Sequence, residues 1–223
     1  MCGRYVSPDQ ASIEREFALL RGPKNFPPSY NVAPTQAVPV IRHRGEQPGV
    51  ELLRWGLIPF FARGIPPSYS TINARMETVQ TAASFRGPWR RGQRCLIPVL
   101  GFYEWQVQAD GKTKVPYYIH LNDQEIFAFA GLWDASQTAA GEVIESCVHL
   151  TMPANALVAE IHNTKQRMPA ILSVEDRNTW LKGPADAAWA ALRPYPAESM
   201  VAWPVSTRVN KPANNDAQLI VAV

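Results

Sequence analysis

Cysteine is scarce in this 223-residue chain: Cys2, Cys95 and Cys147 are all there is. An odd, widely spaced set with no C-x-x-C pair excludes a disulfide framework and a thiolate zinc site. The four histidines, His43, His120, His149 and His162, include no pair at the tight spacing of a helical zinc motif. We expect no metal and no cofactor. Charge is also sparse, at 18% of residues with a net +3 at pH 7; that balance is compatible with a nucleic-acid partner without being evidence for one. No apolar run approaches the ~18 residues of a membrane span, and the opening MCGRYVSPDQ holds no apolar stretch resembling a signal peptide. The expectation is a cytoplasmic protein with no membrane partner. Repeats, low-complexity segments and linkers are missing too, which implies one domain over residues 1–223.

Hydrophobic residues make up 46% of the chain, and a domain of this size buries roughly 70% of its unfolded surface. A sizeable core is therefore available. The 20 prolines and 13 glycines are spread along the chain, which favours many short elements joined by turns. A first helix is read from Ser7 as N-cap, Pro8 at the first helical position and Gln10 completing a capping box. Ile13, Phe17 and Leu20 mark its apolar face, and Gly22-Pro23 stops it. Residues Met1 to Tyr5 are thereby tethered to the body of the fold. Runs rich in β-branched and aromatic residues predict strands at Ala37–Ile41, Cys95–Val99, Phe102–Val107, Val115–Leu121, Ile126–Leu132 and Val143–Thr151. The turn Ala109-Asp110-Gly111-Lys112 reads as a hairpin. Helices are predicted over Ala154–Ile161, Ser173–Leu181, with Ser173 and Asp176 as a cap pair, and Ala185–Leu192. Val201–Val205 and Leu219–Val223 read as closing strands. The fold class is α+β, a single compact domain with a β-barrel-like, mainly antiparallel sheet core flanked by helices.

Several constellations carry chemistry. Removal of Met1 leaves Cys2 with a free α-amine and a thiol on one residue. Such a 1,2-aminothiol attacks an aldehyde, the amine forming an imine and the thiol closing a five-membered thiazolidine. The same residue is equally suited to attack an acyl group with the terminal amine as base. At pH 7 roughly one α-amine in seven is neutral before any tuning. Position alone also leaves open a cysteine without a chemical role. Asn73 and Arg75, two apart on a strand, point the same way and suit a phosphate or sugar oxygen; a helix start near Glu77 is the competing reading. Arg86, Arg90, Arg91 and Arg94 with Trp89 form a phosphate-tracking patch with an aromatic beside it, or a solvated basic loop. Glu104 lies in the apolar run Leu100–Trp105, where desolvation raises a carboxyl pKa toward neutrality; pairing with a buried arginine is its structural alternative. His162 is the best acid–base candidate, while Cys147 and His149, on one face of a strand without an orienting partner, read as core residues.

Together these pieces resemble one family, the SRAP proteins, SOS-response-associated peptidase-like abasic-site processing proteins. The matching motifs are MCGRY at the start, Tyr30-Asn31-Val32-Ala33-Pro34-Thr35-Gln36, Trp55-Gly56-Leu57-Ile58-Pro59, Asn73-Ala74-Arg75, Arg94-Cys95-Leu96-Ile97-Pro98, Gly101-Phe102-Tyr103-Glu104-Trp105, Phe129-Ala130-Gly131-Leu132-Trp133, Ile161-His162, Arg167-Met168-Pro169 and Val205-Ser206. The resemblance implies a compact α+β unit around a barrel-like core that binds single-stranded DNA and cross-links to abasic sites, in the setting of DNA repair and the SOS response, with nucleoid association during repair and a monomeric state. Cys2 matches the residue that forms the thiazolidine, Asn73 the asparagine beside the lesion, and Glu104 and His162 the pair associated with imine formation and reversal. Gly3, Arg4 and Arg75 match DNA-holding positions, and Arg86, Trp89 and Arg90 extend that surface. The peptidase in the family name implies self-removal of Met1. Two departures stand out. Phe60 and Phe61 occupy a place where many relatives carry a tryptophan, and a stacking or wedge role survives in the phenyl faces. Four residues, Asn163 to Gln166, separate His162 from Arg167, a longer spacing than the family's His-x-Arg form. Two rival functions remain: an N-terminal-nucleophile peptidase or amidohydrolase, supported by Met-Cys-Gly alone, and a non-covalent single-strand binder.

Overall fold

A computed structural model describes residues 2–20, 22, 25–43, 45 and 47–223. Among the described residues, thirteen strands, five α-helices and several 3₁₀ turns follow one another in the order β1 Tyr5–Ser7, α1 Gln10–Glu16, β2 Ser29–Val32, β3 Ala37–His43, β4 Pro48–Trp55, β5 Asn73–Arg75, α2 Ala83–Arg90, β6 Arg94–Val99, β7 Gly101–Val107, β8 Lys114–Leu121, β9 Phe127–Gln137, β10 Val143–Pro153, α3 Ala156–Ile161, β11 Arg167–Pro169, β12 Ile171–Leu172, α4 Asp176–Lys182, α5 Ala185–Ala190 and β13 Met200–Pro204. The larger sheet closes on itself, because β10 pairs with both β4 and β9 in the ring β10-β4-β3-β6-β9. A ring of five strands cannot alternate direction all the way round, so one pair must be parallel. That pair is β10 with β4; the other four are antiparallel. The second sheet runs β13-β8-β7-β1-β2. Its β7–β8 hairpin turns at Ala109–Lys112, where Asp110 Oδ1 accepts the N–H groups of Lys112 and Thr113 at 2.8 Å each.

The core joins the two sheets. Tyr5 from β1 meets Trp55 and Phe129 edge-to-face at 5.1 and 6.0 Å between centroids, and Phe129 continues to Phe102 and Phe127 at 5.9 Å each. Such contacts add to simple area burial. Arg42 is the one fully buried cation of the described residues: it reaches Glu51 and Glu145, and its guanidinium lies 4.1 Å over the Trp133 ring. Arg42→Leu therefore removes a buried cation that bridges Glu51 and Glu145 and stacks on Trp133, and is expected to cost about 3 kcal/mol. A thermal melt that moves by less than a degree or two would contradict this.

Several sequence expectations change. Ser7 does not cap α1; it ends a strand, and Asp9 is the cap, accepting from Ser12 N at 3.0 Å. Ser-Pro-Asp offers two capping residues, and the pairing of β1 with β2 and β7 decides between them by keeping Ser7 extended. The helix ends at Glu16, so Leu20 is exposed rather than part of its apolar face. Pro23 and Met1 lie outside the described residues. The 86–94 segment is not a loop: α2 covers most of it, and Trp89 is buried against Trp180 and Trp189 at 6.0 and 5.8 Å. Leu219–Val223 is a 3₁₀ turn at Ala217–Ile220 with a single bridge, Val205 to Ala222, instead of a strand.

Candidate active site

Strand pairing brings the chain's start to its carboxylate. β1 runs antiparallel to β7 with Tyr5 opposite Phe102 and Val6 opposite Gly101. The ladder continues backwards, since Arg4 O accepts the Tyr103 N–H at 3.0 Å. Carried back toward the start, the chain comes near Glu104, whose charge acts on the Cys2 thiol. From the other sheet, β5 hydrogen-bonds in parallel to β10, with Asn73 opposite His149. This holds Asn73 where its Nδ2 donates to the Cys2 carbonyl at 3.0 Å. The Cys2 thiol donates to Arg4 O at 3.5 Å.

His162 arrives as the C-cap of α3. Its Nδ1 lies 2.9 Å from Arg167 O and 3.7 Å from Glu104 Oε1. With Nδ1–H given to that carbonyl, Nε2 is the basic nitrogen. The longer His162–Arg167 segment thus folds back, with the ring returning to the Arg167 carbonyl. Two further contacts fasten it to the strand that carries Glu104: Asn163 Nδ2 donates to Val107 O at 2.8 Å and Asn163 Oδ1 accepts the Val107 N–H at 3.1 Å. Nothing in the sequence singles out Asn163 except that it follows His162. Asn163→Ala is expected to lower the rate of the site's chemistry roughly three- to tenfold through misplacement of His162, with under about 1 kcal/mol lost in a melt because both bonds are exposed. Unchanged turnover would show that the loop holds itself.

The electrostatics differ from residue to residue. Cys2 is fully buried, and burial, with the Glu104 charge second, pushes its thiol well above the usual range. Burial likewise pushes Glu104 up to about 7, opposed by the Trp105 backbone N–H and the Lys165 charge. Burial lowers His162, with Arg167 O opposing and Lys165 adding to the decrease. Near neutrality the site therefore holds a protonated thiol, a carboxyl group at its midpoint and an uncharged imidazole. Glu104 and His162 open onto a depression of about 370 Å³ that Trp105, Val107, Lys114, Thr164 and Lys165 also line. The sequence reading missed both lysines, since an isolated lysine in a loop or at a strand start carries no signal.

The DNA-facing expectations fare unevenly. Arg75 is exposed, next to Asn73 on β5. Gly3 and Arg4 are half-buried, and the Arg4 guanidinium is turned onto Asn31 Oδ1 at 2.8 Å and Val209 O at 2.6 Å, its Nη2 reaching Asn210 O at 3.4 Å on the exposed side. Phe60 and Phe61 are exposed, 55% and 52%, with rings 5.6 Å apart. Buried side chains hold the segment that presents them: Asp134 accepts the Phe60 N–H at 3.0 Å, Ser146 the Ile58 N–H at 2.8 Å and Ser136 the Gly64 N–H at 2.9 Å. Arg91 bonds Asp134 at 2.9 Å and lies 5.0 Å over Phe60. Arg86 and Arg90 are exposed on α2, but Trp89 has no ring face open to a base, so its expected stacking role is withdrawn. Cys147 and His149 are core residues; His149, between Trp55 and Phe129, is lowered to about 3 by burial and stays uncharged.

Residues 1–212 match the profile of the family described as SOS response associated peptidase (SRAP). The chain is 41% identical over 226 residues to the abasic site processing protein YoqW of Bacillus subtilis, covering 99% of each. It is 30% identical over 232 residues to the abasic site processing protein HMCES of Gallus gallus, covering 89% of this chain and 67% of that one. Among solved structures, a protein from Bacteroides thetaiotaomicron superposes with a TM-score of 0.83 at 28% identity, over 100% of both chains.

Proposed function

Since this chain belongs to the SRAP family, we propose that it processes abasic sites in DNA, and that it does so by linking Cys2 covalently to the lesion. The observation that carries this reading is the grouping of Cys2 with Asn73, with a Glu104 carboxyl raised to about 7, and with His162 3.7 Å from that carboxyl. An abasic sugar equilibrates between a closed hemiacetal and a small fraction of open aldehyde. Glu104 and His162 carry the proton that leaves the hemiacetal hydroxyl on opening. With Met1 removed, by self-cleavage or otherwise, the Cys2 amine adds to the aldehyde carbon to form a carbinolamine. Protonated Glu104 gives its proton to the departing hydroxyl, water leaves, and a cationic iminium remains. The sulfur then adds to the iminium carbon, its proton returns to the Glu104 carboxylate, and a thiazolidine closes. One water is released in total.

The site's electrostatics set the order of these steps. A thiol held this far above its usual pKa is a poor first nucleophile, so the carbon–nitrogen bond forms first. The cationic iminium then lies against the sulfur and favours its deprotonation. Asn73, already on the Cys2 carbonyl, orients the sugar oxygen. Arg75 and the exposed edge of Arg4, with Arg86 and Arg90, hold the backbone. The exposed Phe60 and Phe61 rings, by taking the place of a complementary strand, would favour a single-stranded substrate.

The test uses three substrates: a single-stranded oligonucleotide with one abasic site, the same oligonucleotide intact, and glutamine. The expected result is a protein–DNA species that survives denaturing electrophoresis with the first alone. Binding of both oligonucleotides without such a species would leave a non-covalent binder, and glutamine hydrolysis would favour an amidohydrolase. Intact mass, reading whether Met1 is absent, accompanies it.

A further inference from the structure

A second cavity lies on the outer face of the five-stranded sheet. The chain's C-terminal segment covers part of that face, burying Val6, Tyr103, Tyr118, Val205, Val209 and Leu219 in a small cluster of their own. Beyond Ile220 the face stays open as a depression of about 550 Å³. Its floor is built from three rings, of which Tyr118 is buried beneath and His120 and Trp203 present the open faces. Trp203 on β13 is directly opposite Tyr118 on β8, with centroids 5.5 Å apart and planes at 58°. His120 stacks on Tyr118 at 5.7 Å and 23° and meets Trp203 at 5.1 Å and 77°. Burial lowers His120, so the imidazole adds no positive charge near neutrality.

The rim is the turn between β8 and β9, Asn122 to Glu125. That turn is fastened from outside: Asn122 donates to Glu198 O and Ser199 O at 3.0 and 3.1 Å, and Gln124 bonds Tyr195 and Arg177 at 3.3 and 3.0 Å. Its two carboxylates, Asp123 and Glu125, are exposed and have no ion pair among the described residues. No lysine or arginine lines the cavity. A chain of net charge +3 thus has a locally anionic cup with an aromatic floor.

We propose that this cup is a recognition site for a basic side chain, arginine above all, presented by an extended segment of a partner protein. Differently tilted ring faces with a carboxylate rim attract an organic cation through ring quadrupole and charge together. A guanidinium stacks on such rings while its N–H groups meet the carboxylates. DNA is excluded, because its phosphates would face Asp123 and Glu125. A peptide is favoured over a free small cation because β13, which supplies Trp203, ends its sheet and is met on that side, among the described residues, by the chain's own C-terminal segment just at Pro204 and Val205. An edge strand offers main-chain groups to an added extended segment. The site is remote in kind from the Cys2 chemistry and does not depend on it.

The test follows the Trp203 indole N–H and the amides of residues 122–125 by NMR in the full chain. The probes are acetyl-Gly-Arg-Gly-amide, the same tripeptide with citrulline, free argininamide, and an intact oligonucleotide. The arginine tripeptide is expected to shift these resonances saturably. The citrulline version is expected to bind at least tenfold more weakly, and so is the arginine tripeptide to a D123N/E125Q chain, while adduct formation with abasic DNA is unchanged in that variant. Absence of a saturable shift, or equal affinity for citrulline, overturns the proposal. Equal affinity for argininamide overturns the peptide assignment, and the oligonucleotide shifting the same resonances overturns the exclusion of DNA.

Discussion

Cys2→Ala is expected to abolish the denaturation-resistant adduct with abasic single-stranded DNA altogether, while non-covalent binding to the same oligonucleotide persists. The alanine amine can still form an imine, but an imine hydrolyses, and nothing traps it. Cys2→Ser is expected to behave nearly the same, because a hydroxyl closes an oxazolidine poorly and reversibly. The pair of variants separates two roles that the wild-type residue combines: borohydride reduction of the Ala and Ser reactions should capture the imine, whereas wild type needs no reductant. A heat-stable adduct from Cys2→Ser without borohydride would remove sulfur from the mechanism. Neither variant should lose much stability through charge, since the buried thiol is protonated at neutral pH. Cys2 is fully buried, so the alanine cavity itself costs about 1 kcal/mol.

Glu104→Gln carries the second large effect, and it acts in opposite directions on rate and stability. General acid–base groups contribute typically 10²–10⁴-fold, and cross-linking by the variant should fall by about a hundredfold. The wild-type rate should show an inflection near pH 7 that the glutamine variant lacks, since burial pushes Glu104 up to about 7. A Lys165→Gln variant should move that inflection upward, because the Lys165 charge pulls Glu104 down. For stability the sign follows from the raised value. Below the pKa of the unfolded carboxyl both states are protonated and Glu104 costs nothing. As pH rises, the unfolded chain ionises first, and a penalty grows that is complete once pH exceeds the folded value near 7. Its size is about 3 kcal/mol. Glu104→Gln removes that penalty, so thermal melts should show the variant more stable than wild type at pH 8 and little different at pH 4. Equal melting at both values would mean that Glu104 is not held up by burial in the folded chain.

The contrast between these two residues reflects how each was found. Cys2 needed nothing but its position: a cysteine directly after Met1 becomes an aminothiol once that methionine is removed. Glu104 was flagged by its apolar neighbours Phe102, Tyr103 and Trp105, which predict desolvation, and the structure has it buried as expected. The strands from Ala37 to Thr151 were readable because alternating and β-branched runs are local properties. Their closure into a ring was not readable, because it depends on β4, whose Pro48–Trp55 sequence mixes Glu51 and Arg54 among its apolar residues, and on a parallel pairing with a strand some ninety residues later. Trp89 was misjudged for a related reason. Four arginines around it suggested an exposed patch, but helical periodicity turns Trp89 inward while Arg86 and Arg90 point out. Lys114, Lys165, Asn163 and Asp134 each sit in unremarkable sequence and matter through what lies across from them.

By itself the sequence determined the chemical inventory of this protein: a cysteine next to Met1, the carboxyl group among aromatics, the strand-rich middle and the family to which the motifs point. Those are matters of residue type and spacing along one chain, where covalent structure and local periodicity act. Only the tertiary structure decided that Cys2, Asn73, Glu104 and His162 meet, that Arg4 spends much of its guanidinium on the chain's own carbonyls, and that His162 returns to Arg167 across a longer loop. Meetings of that kind come from strand register and burial between distant segments, which no window of neighbouring residues contains.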